Sequence, residues 1–225
     1  TTKKVTDMKE ILCFGDSNTY GLIPGTTRRY DRETRWTGIL AEKLYDKGYR
    51  IIEEGLCGRT SVFDDATRDG RNGAKVLPML LETYAPLDQV VLMLGTNDCK
   101  TYNHASADRI GKGIEKLIQQ IRKADPAIDI LLVSPIELGE DVWKPGFDLE
   151  FDQHSVKVSK QLKQTYLKIA WKYGCDFLAA SDVAKPSKAD MEHMNEKGHK
   201  NLAKAIESFL VEKERNHSNN YVNVV

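Results

Sequence analysis

Five short apolar runs, each set off from the next by a longer stretch with helical spacing, constrain this chain more than any other feature. The runs are residues 11–14 (ILCF), 50–54 (RIIEE), 89–94 (QVVLML), 128–133 (IDILLV) and 175–178 (CDFL). Runs of this length, rich in aliphatic and β-branched residues and closed by turn residues, read as buried strands. Between and after them, a segment beginning at Thr37 and residues 74–84, 106–123, 156–173 and 196–212 carry the spacing of helices. In 106–123, Ile110, Ile114, Leu117, Ile118 and Ile121 share one face, and Pro126 lies just past the end. Alternation of this kind predicts a three-layer α/β/α sandwich around a five-stranded parallel sheet. The expected strand order is 2-1-3-4-5, which brings the loops after the strands to one rim. Neither a repeat nor a linker interrupts the pattern, so 1–225 is expected to be one domain with its core at about 9–214. The polar tail HSNNYVNVV is expected to be loose or to pair with another subunit.

Composition narrows the partners. A chain of 225 residues suits one generous α/β domain. Lys plus Arg and Asp plus Glu each number 33, so the formal charge is zero. That balance favours neither nucleic acid nor an anionic membrane, and it eases self-association. No apolar run approaches the ~20 residues of a membrane span, and the first ten residues, TTKKVTDMKE, lack the apolar core of a signal peptide. Cys13, Cys57, Cys99 and Cys175 form no CxxC pair and no Cys/His cluster. They read as reduced thiols, and a cytoplasmic location is expected.

In an open parallel sheet, ligands bind beyond the carboxyl ends of the strands. The loops there read Gly15-Asp16-Ser17-Asn18, Gly55-Leu56-Cys57-Gly58-Arg59-Thr60 and Gly95-Thr96-Asn97-Asp98, and Asp190-Met191-Glu192-His193 precedes the last helix. A serine hydroxyl needs a base before it attacks a carbonyl. Histidine is the usual base, and His193 has a carboxylate three residues earlier, at Asp190. An oxyanion needs fixed N–H donors, and Ser17 and Gly58 can supply main-chain groups and Asn97 an amide. Each part also has a plain structural reading. Ser17 suits a cap, Asp190-x-x-His193 a helix-start turn, Gly58 a turn and Asn97 an Asx turn.

Taken together and in order, ILCFGDSNTYG, GLCGRT, MLGTND and DMEHMNEKGHKNLA resemble the conserved blocks of the SGNH (GDSL-type) hydrolases. They spread from about residue 11 to residue 206. The resemblance implies the flavodoxin-like sandwich and an esterase without metal or cofactor. It implies Ser17 as nucleophile, His193 as base and Asp190 as its partner, with Ser17, Gly58 and Asn97 as oxyanion donors. The arylesterase and acyltransferase branch is similar further, in Arg35-Trp36, in EEGL before Gly58, in RNG at 71–73 and in PLD at 86–88. One departure is Asn18, where the family has Leu. It is expected to lie beneath the nucleophile and to alter local packing only.

The substrate expected on this likeness is a small aryl or carbohydrate acetate, with acyl transfer to alcohols as a second outcome. Tyr20, Trp36, Lys100, Phe151 and Met194 are expected to line its site. The 136–151 loop, with Trp143, Pro145, Phe147 and Phe151, is expected to be covered by another subunit, giving a homo-oligomer with a narrow mouth. By spacing, Tyr166 and Trp171 are expected in the core. Two other classes compete: a metal-dependent hydrolase using Asp190, Glu192, His193, Glu196 and His199, and a flavodoxin-like module binding phosphate at Ser17–Gly21 without catalysis. The six-residue gap between His193 and His199 suits one helical face poorly, and there is no HExxH. A binding module has no use for Gly58, Asn97, Asp190 and His193 in these places.

Overall fold

The computed structural model describes residues 8–222, with side chains described for 8–213. Its elements are β1 (Lys9–Gly15), α1 (Ser17–Tyr20), α2 (Trp36–Tyr45), β2 (Tyr49–Gly55), α3 (Gly73–Thr83), β3 (Gln89–Met93), α4 (Ala107–Ala124), β4 (Asp129–Ser134), α5 (Gln153–Tyr173), β5 (Asp176–Ala179) and α6 (Glu196–Val222). The five strands are parallel and run β2-β1-β3-β4-β5 across the sheet. This is the predicted α/β sandwich and the predicted order.

The two-residue period of a strand divides the core. Leu12, Phe14, Val90, Leu92, Ile130 and Leu132 point to the face covered by α3, α4 and α5. Their neighbours Ile11, Cys13, Val91, Met93, Leu131 and Val133 point to the face covered by α2 and α6. Burial on both faces explains why the central strands β1, β3 and β4 read as continuous apolar runs, whereas the edge strands β2 and β5 are half-buried and carry charged residues. In α4 the four predicted isoleucines and the leucine are all buried, and Ser106 caps the helix by accepting the Arg109 N–H at 3.2 Å. None of the four cysteines is bonded to another. Among the described residues no helix is long and apolar enough to cross a membrane.

Several boundaries and side chains differ from expectation. α5 begins at Gln153 rather than 156, because Asp152 accepts the Ser155 N–H at 2.7 Å in a capping box. Its polar first turn hides that start from an apolar count. α6 continues to Val222 instead of stopping near 212, and no Gly or Pro after Gly198 breaks it. The expected loose tail is thus helical in backbone through 222, and 223–225 lie outside the described residues, as does the TTKKVTD start. Tyr166 is buried and donates to the Leu94 carbonyl at 2.8 Å, but Trp171 is 88% exposed. Five residues of helix turn the two side chains about 140° apart, so both cannot face the sheet.

The 136–151 loop is not a row of exposed aromatics either. Phe151 is buried in the core, and Trp143 packs against that core while its Nε1 donates to the Glu140 carbonyl at 2.9 Å. The apolar groups left exposed nearby are Leu149 and Tyr102.

Candidate active site

Ser17 opens α1, directly after β1, where the chain leaves the sheet. Asp16 caps this turn, its Oδ1 accepting the Asn18 N–H at 2.9 Å. The turn crowds the end of β2. A Cβ on Gly55 would lie 2.1 Å from the Tyr20 main-chain nitrogen, so only glycine lets the two segments meet. Beneath the turn, Arg59 is buried against the Phe14 ring and donates to the Gly15 carbonyl at 3.1 Å and to the Glu54 carbonyl. Burial pushes its guanidinium down to about 10 and the Asp16 carboxyl up to about 6.

His193 reaches this serine from the loop before α6. Its Nε2 lies 2.8 Å from Ser17 Oγ, and its Nδ1 lies 2.8 Å from Asp190 Oδ2. With the ring hydrogen on Nδ1, facing the carboxylate, Nε2 is left to accept from the Ser17 hydroxyl. Asp190 is fixed in turn: its Oδ1 accepts the Glu192 and His193 N–H groups at 3.0 and 2.9 Å, and its Oδ2 accepts the Gly25 N–H at 2.8 Å. Burial raises the Asp190 carboxyl, but its bond to His193 and the histidine charge bring it below the ordinary carboxylate range. Burial alone would lower His193. The bond to Asp190 and the charges of Glu192, Asp190 and Asp16 outweigh it and hold the imidazole above the usual histidine value. The arrangement can take a proton from Ser17 and keep the resulting cation stable.

The other two predicted oxyanion donors, Gly58 and Asn97, lie on the loops after β2 and β3. Gly58 has φ +83°, a conformation that favours glycine, and the Arg68 guanidinium lies close over it. Asn97 is buried, and its Nδ2 donates one hydrogen to the Arg59 carbonyl at 3.1 Å. Its own carbonyl accepts from Asn103 Nδ2 at 3.0 Å, which fixes the loop after β3. Among the described residues, nothing accepts the main-chain N–H of Ser17 or Gly58. The adjacent Asp98 is buried, takes the Ser61 N–H at 3.0 Å and the Ser61 hydroxyl, and is pushed up to about 6 by burial.

The residues expected to line the substrate site separate into two groups. Trp36 and Met194 have no exposure and belong to the core beside α2 and α6, and Phe151 is buried in the other core. Their apolar side chains complete the packing behind the site, so none presents a surface to a ligand. Tyr20 is partly exposed with the Arg29 guanidinium over its ring, and Lys100 is buried and bound to Glu150 at 2.5 Å. His199 is also a core residue, its Nδ1 taking the Trp36 N–H at 3.3 Å, and burial pushes it down to about 4. Among the described residues, no three His, Cys, Asp or Glu side chains come together as a metal site.

Two residues stand closer to Ser17 and His193 than the sequence suggested: Asn18, expected to alter local packing only, and Glu192, considered only as a metal ligand. Asn18 ties the serine turn to the histidine loop: Oδ1 accepts the Met194 N–H at 2.9 Å and Nδ2 donates to the Glu192 carbonyl at 3.3 Å. Trp36 Nε1 secures the Asn18 carbonyl from below at 3.0 Å. Glu192 places its carboxylate 3.7 Å from His193 Nε2. The signal for Asn18 was its polarity where the GDSL pattern implies Leu.

Similarity to known proteins agrees with this geometry. The profile of the GDSL-like lipase/acylhydrolase family matches residues 13–200. The native aryl esterase of M. smegmatis superimposes with a TM-score of 0.85 at 34% identity, over 91% of this chain and 99% of that one. A carbohydrate acetylesterase family member from Sinorhizobium meliloti does so with a TM-score of 0.84 at 36% identity, over 90% and 97%. A putative arylesterase from Agrobacterium tumefaciens gives 0.82 at 31% identity, over 91% and 99%. No curated protein matches the chain.

Proposed function

The chain belongs to the GDSL-like lipase/acylhydrolase family and is a carboxylic ester hydrolase, and from that premise we propose that it works through an acyl-enzyme on Ser17, with His193 as general base and acid and Asp190 as its orienting carboxylate. The observation that carries the proposal is the unbroken line Asp190 Oδ2, His193 Nδ1, His193 Nε2, Ser17 Oγ, both links at 2.8 Å.

The cycle runs in two balanced halves. Ser17 Oγ attacks the ester carbonyl carbon while its proton passes to His193 Nε2. The carbonyl oxygen becomes an oxyanion held by the Ser17 and Gly58 N–H groups and the second Nδ2 hydrogen of Asn97. The bond to the alcohol oxygen then breaks, and His193 returns the proton to that oxygen. Water, or a second alcohol, attacks the acyl-enzyme with its proton passing to His193 and on to Ser17.

The substrates proposed are short-chain esters, aryl or carbohydrate acetates, with acyl transfer to alcohols alongside hydrolysis. Support comes from the similar structures, one an aryl esterase and one a carbohydrate acetylesterase family member. Self-association belongs to the same reading. Leu149 and Tyr102, 68% and 46% exposed, stand on segments joined by the Thr101 N–H bond to the Glu150 carbonyl. Light scattering tests this, and a clean 25.4 kDa species would remove it. The central test is labelling with a fluorophosphonate. The label is expected on the Ser17 peptide, with hydrolysis of phenyl acetate abolished by it and by Ser17→Ala. Label on another residue, or full activity in Ser17→Ala, would end the proposal.

A further inference from the structure

Glu192 stands beside the reacting atoms, yet the acyl-transfer cycle makes no use of it. Its Oε1 lies 3.7 Å from His193 Nε2, the nitrogen that faces Ser17 Oγ at 2.8 Å. The residue is only 7% exposed. Among the described residues its carboxylate accepts no hydrogen bond, and the imidazole is its one ion-pair neighbour. With no hydrogen-bond partner inside the protein, the nearly buried carboxyl keeps only a small opening to the outside. Next to a nucleophile, that opening is where a group of the substrate can reach it.

Position identifies which half of the substrate. His193 Nε2 must hand a proton to the departing alcohol oxygen, so that oxygen comes within hydrogen-bond distance of Nε2. Glu192 flanks that same nitrogen. The proposed oxyanion donors Gly58 and Asn97 come from the loops after β2 and β3 and address the carbonyl oxygen instead. Glu192 therefore borders the alcohol half of the ester.

We propose that Glu192 is a specificity-determining group whose carboxyl hydrogen-bonds a second hydroxyl on the alcohol half, so that the enzyme selects acetylated polyols and sugars over esters of alcohols with no further hydroxyl. This rests on the assignment of Ser17 and His193 made above. A hydroxyl both donates and accepts, so it pairs with the carboxylate and with the carboxylic acid. Burial, first among the influences, holds Glu192 up to about 7, and both forms are present near neutrality. The charges acting on it are of mixed sign: His193 and Lys100 draw it down, and Asp148 and Asp190 push it up. An uncharged polyol fits such surroundings better than a cation or an anion.

The same contact governs transfer. Deacylation retraces acylation, so an acceptor alcohol takes the place of the leaving one. One hydroxyl of the polyol attacks the acyl carbon and gives its proton to His193 Nε2. That proton returns to Ser17 Oγ as the bond between Oγ and the acyl carbon breaks. Glu192 holds the neighbouring hydroxyl throughout.

The test compares glyceryl monoacetate with propyl acetate, which differ in the two extra hydroxyls, in the full chain and in Glu192→Leu and Glu192→Gln. Glu192 touches His193, so absolute rates will move for both esters and the readout is the ratio of their kcat/KM values. The ratio is expected to fall about tenfold or more in Glu192→Leu. It should be largely kept in Glu192→Gln, whose amide still donates and accepts. In wild type, acetyl transfer from phenyl acetate should favour glycerol over 1-propanol at equal concentration, a readout that needs no variant. An unmoved ratio in Glu192→Leu, or equal partition between the two alcohols, overturns the proposal while leaving the Ser17 reading intact. A preference for acetylcholine that Glu192→Leu abolishes also overturns it, in favour of a cation site. Wild type without activity on any ester, or without label on Ser17, overturns both.

Discussion

Oδ1 of Asn18 accepts the main-chain N–H of Met194 at 2.9 Å, joining positions 176 residues apart. With the Nδ2 bond to the Glu192 carbonyl, it grips the backbone on both sides of His193. Asn18 is thus placed to hold His193 against Ser17.

Replacing Asn18 by Leu or Ala should therefore slacken the His193 loop. The expected result is a fall in kcat of about tenfold, with KM for phenyl acetate within about twofold, because a misplaced base loses transition-state rather than ground-state interactions. Steady-state kinetics decide this. A change confined to KM would instead make Asn18 part of the substrate pocket.

Asn97→Ala should lower kcat by about 10²- to 10³-fold with KM little altered, since its amide meets full negative charge only in the transition state. Binding of an uncharged substrate analogue should be nearly unaffected, which calorimetry can verify. Weaker binding of the analogue by a similar factor would contradict an oxyanion role.

Activity should rise with pH as His193 loses its proton, with a midpoint above the ordinary histidine value, because the bond to Asp190 and the nearby carboxylates outweigh burial. In Asp190→Asn the strongest of those raising influences disappears and the midpoint should move downward, with kcat reduced by about 10²- to 10⁴-fold. A profile of kcat/KM against pH for both proteins tests the sign. A midpoint that stays or rises in Asp190→Asn would show that Asp190 does not set the basicity of His193.

Arg35 grips Glu53 through two bonds, Nε to Oε2 at 2.6 Å and a second nitrogen to Oε1 at 2.9 Å, with Thr37 Oγ1 adding a third at 2.6 Å. Arg35→Ala leaves the carboxylate only the Thr37 hydroxyl and Arg29 at 3.7 Å, and should cost about 2 kcal/mol in denaturant unfolding. Burial raises Glu53, but Arg35 and Thr37 prevail and hold it below the ordinary value. A depressed carboxylate stabilises above its unfolded pKa and loses that contribution as pH falls through its folded one. The gap between the two proteins should be full above about pH 5 and shrink in acid. A gap that widens in acid would mean that the ion pair is not the source of the lost stability.

What the sequence determined by itself was everything carried by local periodicity. Strands buried on both faces are continuously apolar, and helices repeat near 3.6, so five strands, the main helices and the α/β class could be read, though not every helix end. Position in the chain also put Ser17, Gly58 and Asn97 after successive strands, and in a parallel sheet all such loops open to one rim. Tertiary structure alone decided which side chains face that rim. Trp36, Phe151 and Met194 carry the large apolar groups that a pocket and a core want equally, and packing placed them in the core. Trp171 had the spacing of a buried residue only when paired with the wrong neighbour, since the rotation of α5 is fixed by Leu162, Tyr166 and Ile169. Asn18 and Glu192 gained their places from contacts that cross 174 to 176 residues of chain. A contact of that span leaves no periodic trace, because it is set by how the layers close and not by the conformation of either segment.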